Sequence, residues 1–184
     1  MNTDLFDKAA KFAIDAHAST PRKGKGYPYI LHPMEATCIV ATLTDDPEML
    51  AAAMLHDTVE DTDVTIEQIR QEFGERVASL VQIDTSQLPH DAPWRDRKQA
   101  QADIIATAPL DSKIVAFGDK YSNLYNIVTD YHKIGDDLWQ RFSAPNGKED
   151  IVWYYTILAD ALKDLAGTAA YKEYLEMLKE LSEK

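Results

Sequence analysis

The sequence predicts an all-α fold. Apolar residues recur at helical spacing along the chain, and no stretch alternates apolar and polar residues with a period of two. Prolines and glycines fall at the breaks between the helical segments. Because 184 residues are enough for one substantial hydrophobic core, we expect a single domain over residues 1–184, built as a compact helical bundle.

The first predicted helix is marked by an apolar stripe and ends near His17. The stripe comprises Leu5, Phe6, Ala9, Phe12, Ala13 and Ala16. A loop rich in proline, glycine and charge follows from Ser19 to Tyr29. Pro33 suits the first turn of a second helix that runs through Leu43, and Pro47 opens a third helix.

The next helix has a clear start and stop, because Thr65 and Gln68 are spaced as a capping box and Gly74 follows the last turn. A helical stretch through Val77 and Val81 leads to a loop from Ser86 to Pro93. Further helices are predicted at 94–107, 110–129, 148–166 and 169–182, with a shorter one near 136–142. The last helix carries a stripe that either closes the core or forms a homodimer face: Tyr171, Tyr174, Leu175, Leu178 and Leu181.

Composition excludes several classes of protein. The net charge of −12 argues against nucleic-acid binding, which draws on an extended basic surface. The longest apolar runs are far shorter than a membrane span, and the N-terminus does not resemble a signal peptide, so we expect a cytoplasmic protein with no membrane partner. Cys38 is the single cysteine, which excludes an intramolecular disulfide and a zinc site made of thiolates.

The most informative segment is the run from His56 to Asp61, which follows three consecutive alanines. We expect the third helix, opened by Pro47, to carry this run, so that Glu60 lies one turn from both His56 and Asp57, and Asp61 lies one turn from Asp57. Ionised groups are costly to bury unless they are paired or bind a metal. The segment therefore predicts a cleft that contains a metal ion.

Two more residues supply suitable ligands elsewhere in the chain. His32 stands at the start of the second helix, and Asp119 is a lone carboxylate at the end of an apolar run. With His56 and Asp57 they make a mixed nitrogen and oxygen site, suited to Mn²⁺, Fe²⁺ or Zn²⁺. Four protein ligands on an octahedral ion leave two positions for water or a phosphate oxygen, which is the arrangement for metal-assisted hydrolysis.

These residues resemble those of a known family. His32, His56-Asp57 and Asp119 fit the H…HD…D pattern of the HD-domain metal-dependent phosphohydrolases, so the bundle is expected to be an HD domain. Within that family the sequence is most similar to the hydrolase domain of RelA/SpoT proteins and to the stand-alone small alarmone hydrolases of the metazoan SpoT homolog type. The matching blocks are Ala16-His17 with Arg22-Lys23, Gly26 to Pro33, Ala53 to Thr62, Phe73-Gly74 with Val77 and Leu80-Val81, and Asp119 to Leu124. The resemblance covers residues 5–130, and the helices at 148–182 would complete the core.

The resemblance implies a phosphoric-ester hydrolase of the stringent response. Its substrates would be guanosine tetraphosphate and pentaphosphate (ppGpp and pppGpp), whose 3′-pyrophosphate is removed by a metal-activated water, usually with Mn²⁺. The metal ligands would be His32, His56, Asp57 and Asp119, and Glu60 and Asp61 would act as general base or orienting groups. The substrate-binding residues would be Arg22 and Lys23 at the pyrophosphate, Asn123 at the substrate or the activated water, and Tyr154 at the nucleoside.

Two departures from the family leave the nucleotide open. Ala116 stands where relatives commonly have a lysine, and Tyr125 where they commonly have an arginine. The loss of two positive charges near the cleft could change which anionic nucleotide is preferred. One alternative is therefore hydrolysis of another phosphorylated nucleotide, such as removal of the 2′-phosphate from NADPH. A non-catalytic nucleotide sensor is the other, although the retained ligands and Glu60 and Asp61 favour an enzyme.

Overall fold

The computed structural model describes residues 3–83, 88–89 and 91–183. The prediction of an all-α fold is confirmed, because these residues form helices and no strand; their only β pairing is an isolated antiparallel bridge between Pro21 and Pro28. The α-helices are α1 (Asp4–Ala16), α2 (Leu31–Ala41), α3 (Pro47–Leu55), α4 (Thr58–Asp61), α5 (Ile66–Phe73), α6 (Glu75–Gln82), α7 (Trp94–Thr107), α8 (Leu110–Ile134), α9 (Lys148–Ala161) and α10 (Ala169–Glu183).

Several helix ends follow the predicted signals. Asp46 caps α3 ahead of Pro47, and its carboxylate accepts from the backbone N–H groups of Glu48 at 2.9 Å and Met49 at 3.4 Å. Thr65 and Gln68 form the complete capping box of α5. Gly74 ends α5 with φ of +91°, a conformation that glycine adopts at low cost, and α6 begins at the next residue.

Other boundaries differ from the prediction. The helix predicted at 148–166 ends at Ala161, and a 3₁₀ turn follows at Lys163–Leu165. The short helix predicted near 136–142 is a 3₁₀ helix, Gly135–Arg141, and α8 continues to Ile134. Of the predicted loop from Ser86 to Pro93, residues 86, 87 and 90 lie outside the described residues, and the described ones form no helix, as predicted.

The segment from Pro47 to Asp61 is two helices rather than the single helix that the sequence predicts. The ring N–H at Nδ1 of His56 donates to the Ala53 carbonyl at 2.8 Å, and the Thr58 hydroxyl donates to the Leu55 carbonyl at 2.6 Å. These side chains bond to carbonyl oxygens at the end of α3 and so compete with the backbone N–H groups that would continue the helix. The helix stops at Leu55. His56 and Asp57 consequently lie at the junction of α3 and α4.

Backbone contacts divide the chain into two units. The first comprises Met1–Thr85 with Pro109–Asp119, and the second Ser86–Ala108 with Lys120–Lys184. The single domain expected from the sequence stays a prediction. No helix within the described ranges is both long enough and apolar enough to cross a membrane.

The core of the first unit is built around α1, α3 and α6. Small side chains on α1 and α3 let the helix backbones approach closely, and branched or long side chains fill the remaining space. The alanines are Ala9, Ala13, Ala51, Ala52 and Ala53, and the larger core residues include Met54, Leu55, Ile69, Val77 and Val81. Full burial of each of the larger side chains stabilises the fold by about 1.5–3 kcal/mol.

The second unit packs α7 and α10 against α9. Its buried tyrosines keep their hydroxyls bonded: Tyr171 donates to the Ala159 carbonyl at 2.7 Å and Tyr174 to the Tyr155 carbonyl at 3.1 Å. Four residues of the predicted α10 stripe are buried within the chain, and only Leu175 is exposed. The stripe therefore closes the core, which was one of the two roles expected for it.

Candidate metal centre

The four predicted metal ligands come together in the first unit. One ligand atom from each of His32, His56, Asp57 and Asp119 lies within 4.8 Å of all the others, and this is the one such cluster within the part of the chain that the structure describes. Nε2 of His32 lies 3.0 Å from Oδ1 of Asp119 and 3.3 Å from Oδ2 of Asp57. Nε2 of His56 lies 3.0 Å from Oδ2 of Asp57 and 3.4 Å from Oδ1 of Asp119.

Three separate parts of the chain supply these ligands. His32 lies in the first turn of α2, Asp119 lies on α8, and His56 and Asp57 occupy the junction of α3 and α4. A glycine sets the approach of α8 to α2: a Cβ at Gly118 would lie 2.6 Å from Cγ2 of Val40 and 2.7 Å from the Ala36 carbonyl oxygen. This close packing, one residue before Asp119, holds that carboxylate against His32. No pattern in the sequence marks Gly118 for this role.

The protonation of His56 suits metal binding. Since the Ala53 carbonyl can only accept a hydrogen bond, Nδ1 carries the proton in this contact, and Nε2 is directed towards the two carboxylates. Nε2 is buried, and its nearest polar neighbours among the described residues are the carboxylate oxygens of Asp57 and Asp119. A buried nitrogen facing two carboxylates is a donor arrangement that fits a divalent ion.

The imidazoles and carboxylates of the cluster stabilise one another's charged forms. Burial alone would raise the pKa of Asp57, but the imidazoles of His56 and His32 hold that pKa well below its usual range. Burial alone would lower the pKa of His56, yet the carboxylates of Asp57 and Asp119 raise it well above its usual value. A divalent cation would take the place of the positive charge that these carboxylates attract.

A second layer of side chains lies behind Asp57. The Tyr29 hydroxyl donates to Oδ2 of Asp57 at 2.6 Å; burial and the neighbouring carboxylate raise the pKa of Tyr29 far above its usual value, so the hydroxyl stays protonated. The ring of His17 lies 4.8 Å from the Tyr29 ring, and burial lowers the pKa of His17. Neither ring nitrogen of His17 has a hydrogen-bond partner among the described residues, and His17 is not part of the ligand cluster.

From the sequence, Tyr29 is only the end of the charged loop that precedes His32, with no role of its own. Its position three residues before a candidate ligand was the available signal. Only the fold reveals that its hydroxyl reaches Asp57, which is 28 residues away in the chain.

The predicted catalytic carboxylates, Glu60 and Asp61, are exposed on α4 immediately after the ligand pair. The backbone N–H of Asp61 donates to the Asp57 carbonyl at 2.9 Å, which preserves the expected spacing of one turn despite the break in the helix. Asp61 is also close enough to the Tyr29 hydroxyl to affect its pKa. Asp61 is therefore close to the cluster, and both carboxylates are accessible from solvent.

The predicted basic residues lie on a loop that is ordered by backbone contacts. Thr20 and Tyr29 are joined by a hydrogen bond of 2.8 Å, and Arg22 and Tyr27 by one of 3.0 Å. The Arg22 guanidinium lies 5.1 Å from the centre of the Tyr29 ring, and Lys23 is exposed beside it. The Tyr29 side chain therefore contacts both Arg22, through its ring, and Asp57, through its hydroxyl.

The remaining predicted substrate residues belong to the second unit. Asn123 is half-buried on α8, four residues after Asp119. Tyr154 on α9 is buried, its hydroxyl donates to Oε1 of Gln101 at 2.5 Å, and Nζ of Lys98 lies 4.8 Å from its ring centre. The contacts of Asn123 and Tyr154 with a substrate stay predictions.

Comparison with known proteins shows the family of this chain. The HD domain model matches residues 9–108, and the chain belongs to the HD domain family. It is 33% identical over 181 residues to the guanosine-3′,5′-bis(diphosphate) 3′-pyrophosphohydrolase MESH1 of Danio rerio, a match that covers 96% of this chain and 93% of the relative.

Two further matches differ in sequence identity and in how much of each chain they cover. The guanosine-3′,5′-bis(diphosphate) 3′-pyrophosphohydrolase of Aquifex aeolicus is 49% identical over 81 residues, which are 44% of this chain but only 12% of that longer protein. The solved structure of a metazoan ortholog of SpoT that hydrolyses ppGpp superposes with a TM-score of 0.76 at 23% identity, covering 97% of this chain and 95% of the other. This similarity confirms that the fold is that of an HD domain.

Proposed function

We propose that this protein removes the 3′-pyrophosphate from ppGpp and pppGpp as a metal-dependent phosphoric-ester hydrolase. The observation that carries the proposal is the buried cluster of two imidazoles and two carboxylates, assembled from three parts of the chain. The choice of substrate is supported by the similarity to a ppGpp pyrophosphohydrolase over nearly the whole chain. The same ligand cluster speaks against the sensor hypothesis, because a protein that only binds nucleotide does not need it.

The metal is proposed to be one divalent ion held by His32, His56, Asp57 and Asp119. The mixed set of imidazole nitrogen and carboxylate oxygen suits Mn²⁺, Fe²⁺ or Zn²⁺, and we choose Mn²⁺ because the resemblance to the alarmone hydrolases implies it. When bound, such an ion supplies Lewis-acid chemistry, polarising a phosphoryl oxygen and lowering the pKa of water.

The other side chains bind the substrate and move the proton. Glu60 and Asp61, exposed beside Asp57, accept the proton of the attacking water or orient that water. Arg22 and Lys23 neutralise the departing pyrophosphate, and the planar Arg22 guanidinium can bind two phosphate oxygens at once. Asn123 hydrogen-bonds the substrate and Tyr154 contacts the nucleoside.

NADPH is the second candidate substrate, through loss of its 2′-phosphate. The observation that favours it is the absence of two cationic side chains that are common in relatives: Ala116 is buried and Tyr125 is 48% exposed. A substrate with fewer phosphate charges near these positions would need fewer cations. In either case we propose a cytoplasmic enzyme that acts on a small nucleotide, with homodimer formation left to a measurement of mass in solution.

The test is turnover of ppGpp and NADPH, assayed in parallel with added Mn²⁺. We expect pyrophosphate release from ppGpp that is abolished in Asp57→Ala, which should also lose metal binding. Glu60→Ala should keep the metal and lose about 10²-fold in rate, the lower end of what general base catalysis contributes. Glu176→Ala, which removes an exposed glutamate on α10, is the matched control and should behave as wild type.

The outcomes separate the hypotheses. Metal-dependent phosphate release from NADPH without turnover of ppGpp would move the protein to the second candidate. Inactivity on both nucleotides with metal bound would contradict the proposed function, and full activity of Glu60→Ala would show that the role given to Glu60 is wrong.

A further inference from the structure

We propose that Tyr29 is a positioning residue that holds the metal ligand Asp57 and the substrate-binding Arg22 in one fixed arrangement. The inference rests on the proposed function, because it concerns the same metal centre and the same phosphate-binding loop. It goes beyond that function by assigning a role to a side chain that would touch neither the metal nor the substrate.

The hydroxyl of Tyr29 fixes Asp57. It donates to Oδ2 at 2.6 Å, and this is the same oxygen that lies 3.0 Å from Nε2 of His56 and 3.3 Å from Nε2 of His32. A carboxylate oxygen has two lone pairs, so Oδ2 can accept from the tyrosine with one and face the metal position with the other. The hydrogen bond thereby selects one rotation of the Asp57 side chain before any ion arrives.

The ring of Tyr29 contacts the other side chains of the site. The His32 ring meets it edge-on, with 5.9 Å between centroids and an interplanar angle of 80°. The Arg22 guanidinium lies 5.1 Å from its centre, within the range of a cation–π interaction, and the buried His17 ring lies 4.8 Å away. One aromatic ring therefore contacts a metal ligand, a candidate phosphate-binding cation and a buried supporting histidine.

The backbone of Tyr29 completes the connection. Its N–H donates to the Thr20 carbonyl at 2.8 Å, beside the bridge between Pro21 and Pro28 that closes the loop carrying Arg22. A shift of the loop would accordingly move the tyrosine, and with it the hydrogen bond to Asp57. This juxtaposition makes Tyr29 the physical link between the phosphate-binding loop and the metal centre.

Two substitutions distinguish the contact of the Tyr29 hydroxyl with Asp57 from the contact of its ring with Arg22. Tyr29→Phe removes one oxygen and keeps the ring, so Mn²⁺ affinity should fall about 10- to 100-fold, as when other groups that support metal ligands are lost. At saturating Mn²⁺ the KM should stay close to wild type, since Arg22 keeps its aromatic contact. Tyr29→Leu removes the ring as well, and should raise KM in addition to lowering the Mn²⁺ affinity.

The matched control is Tyr171→Phe. Tyr171 is also buried, and its hydroxyl donates at 2.7 Å to a backbone carbonyl of the second unit, whereas the four candidate metal ligands all belong to the first. This variant should lose some thermal stability with unchanged Mn²⁺ affinity. If Tyr29 were merely structural, Tyr29→Phe would behave in the same way.

Mn²⁺ affinity is measured by calorimetric titration of the metal-free protein without nucleotide, so the result does not depend on the true substrate. Weaker Mn²⁺ binding by Tyr29→Phe but not by Tyr171→Phe would support the inference, even if ppGpp were not turned over. Equal binding by wild type and Tyr29→Phe would overturn it while leaving the hydrolase proposal standing. Absence of Mn²⁺ binding in the wild type would overturn both.

Discussion

Individual residues of this protein are constrained by contacts that only the folded chain makes. Gly118 is an example, because the space for its missing side chain is occupied by Cγ2 of Val40 and by the backbone carbonyl of Ala36. The valine methyl can rotate away, but the carbonyl can retreat only if α2 moves. Since α2 and α8 carry His32 and Asp119, their separation determines the distance between two ligands.

We predict that Gly118→Ala destabilises the protein and weakens Mn²⁺ binding together. Overpacking of this kind costs about 1–3 kcal/mol, which outweighs the gain of about 1 kcal/mol that alanine has over glycine within an open helix. Denaturant unfolding and Mn²⁺ titration measure the two effects. Gly167→Ala is the control, because a Cβ there meets no atom within 4 Å; equal behaviour of the two variants would show that the packing at Gly118 is unimportant.

The four side chains of the cluster could be predicted from sequence as candidate metal ligands, but the residues that support them could not. His32, His56, Asp57 and Asp119 have a recognisable spacing and a donor chemistry that few structural roles require. Tyr29 and Gly118 have no such signal, because a tyrosine near apolar residues and a glycine in a helix are compatible with many roles. Their importance depends on neighbours that are distant in sequence.

At the scale of helices, an ion-pair network joins the start of α3 to α6 and α8. The Arg76 guanidinium on α6 lies 2.8 Å from Asp46, 2.7 Å from Glu48 and 3.0 Å from Asp111. Hydrogen bonds from Arg76 lower the pKa of both Asp46 and Asp111. The network is partly exposed, so each pair contributes only about 0.2–1 kcal/mol.

We predict that Arg76→Met lowers the free energy of unfolding at pH 7 by about 1 kcal/mol, and that this difference shrinks in acid. Because the two aspartates have a lower pKa folded than unfolded, their contribution is complete above the unfolded value of 3.8 and is lost as the pH falls through the folded values. Urea unfolding of wild type and Arg76→Met at several pH values measures the difference in their free energy of unfolding. A difference between wild type and variant that stayed constant down to pH 2 would contradict the network's role.

Helix ends with local signals could be predicted, and those set by tertiary contacts could not. The capping box of Thr65 and Gln68 is a property of four consecutive residues and was confirmed. The junction between α3 and α4 was missed because the apolar pattern through Leu55 continues without a proline or glycine. The helix ends there through the bonds of His56 and Thr58 to preceding carbonyls, which the spacing of apolar residues does not reveal.

The four residues of the candidate metal centre all belong to the first of the two units, while α8 contributes residues to both. The predicted helical class was confirmed, since it follows from apolar spacing repeated along the entire chain. The division into two units could not be predicted, because it depends on which helices pack together rather than on any break in composition. The single domain expected from chain length stays a prediction.

Metal content of the whole protein is the most direct test of our central claim that one divalent ion is held by four named side chains. Metal-free protein would be titrated with Mn²⁺ by calorimetry, with folding checked by circular dichroism. We predict one ion per wild-type chain and the same for Glu176→Ala. Binding should be lost or severely weakened in four folded variants: His32→Ala, His56→Ala, Asp57→Ala and Asp119→Ala. A wild-type chain that binds no ion, or an Asp57→Ala variant that binds it as tightly as wild type, would contradict the claim.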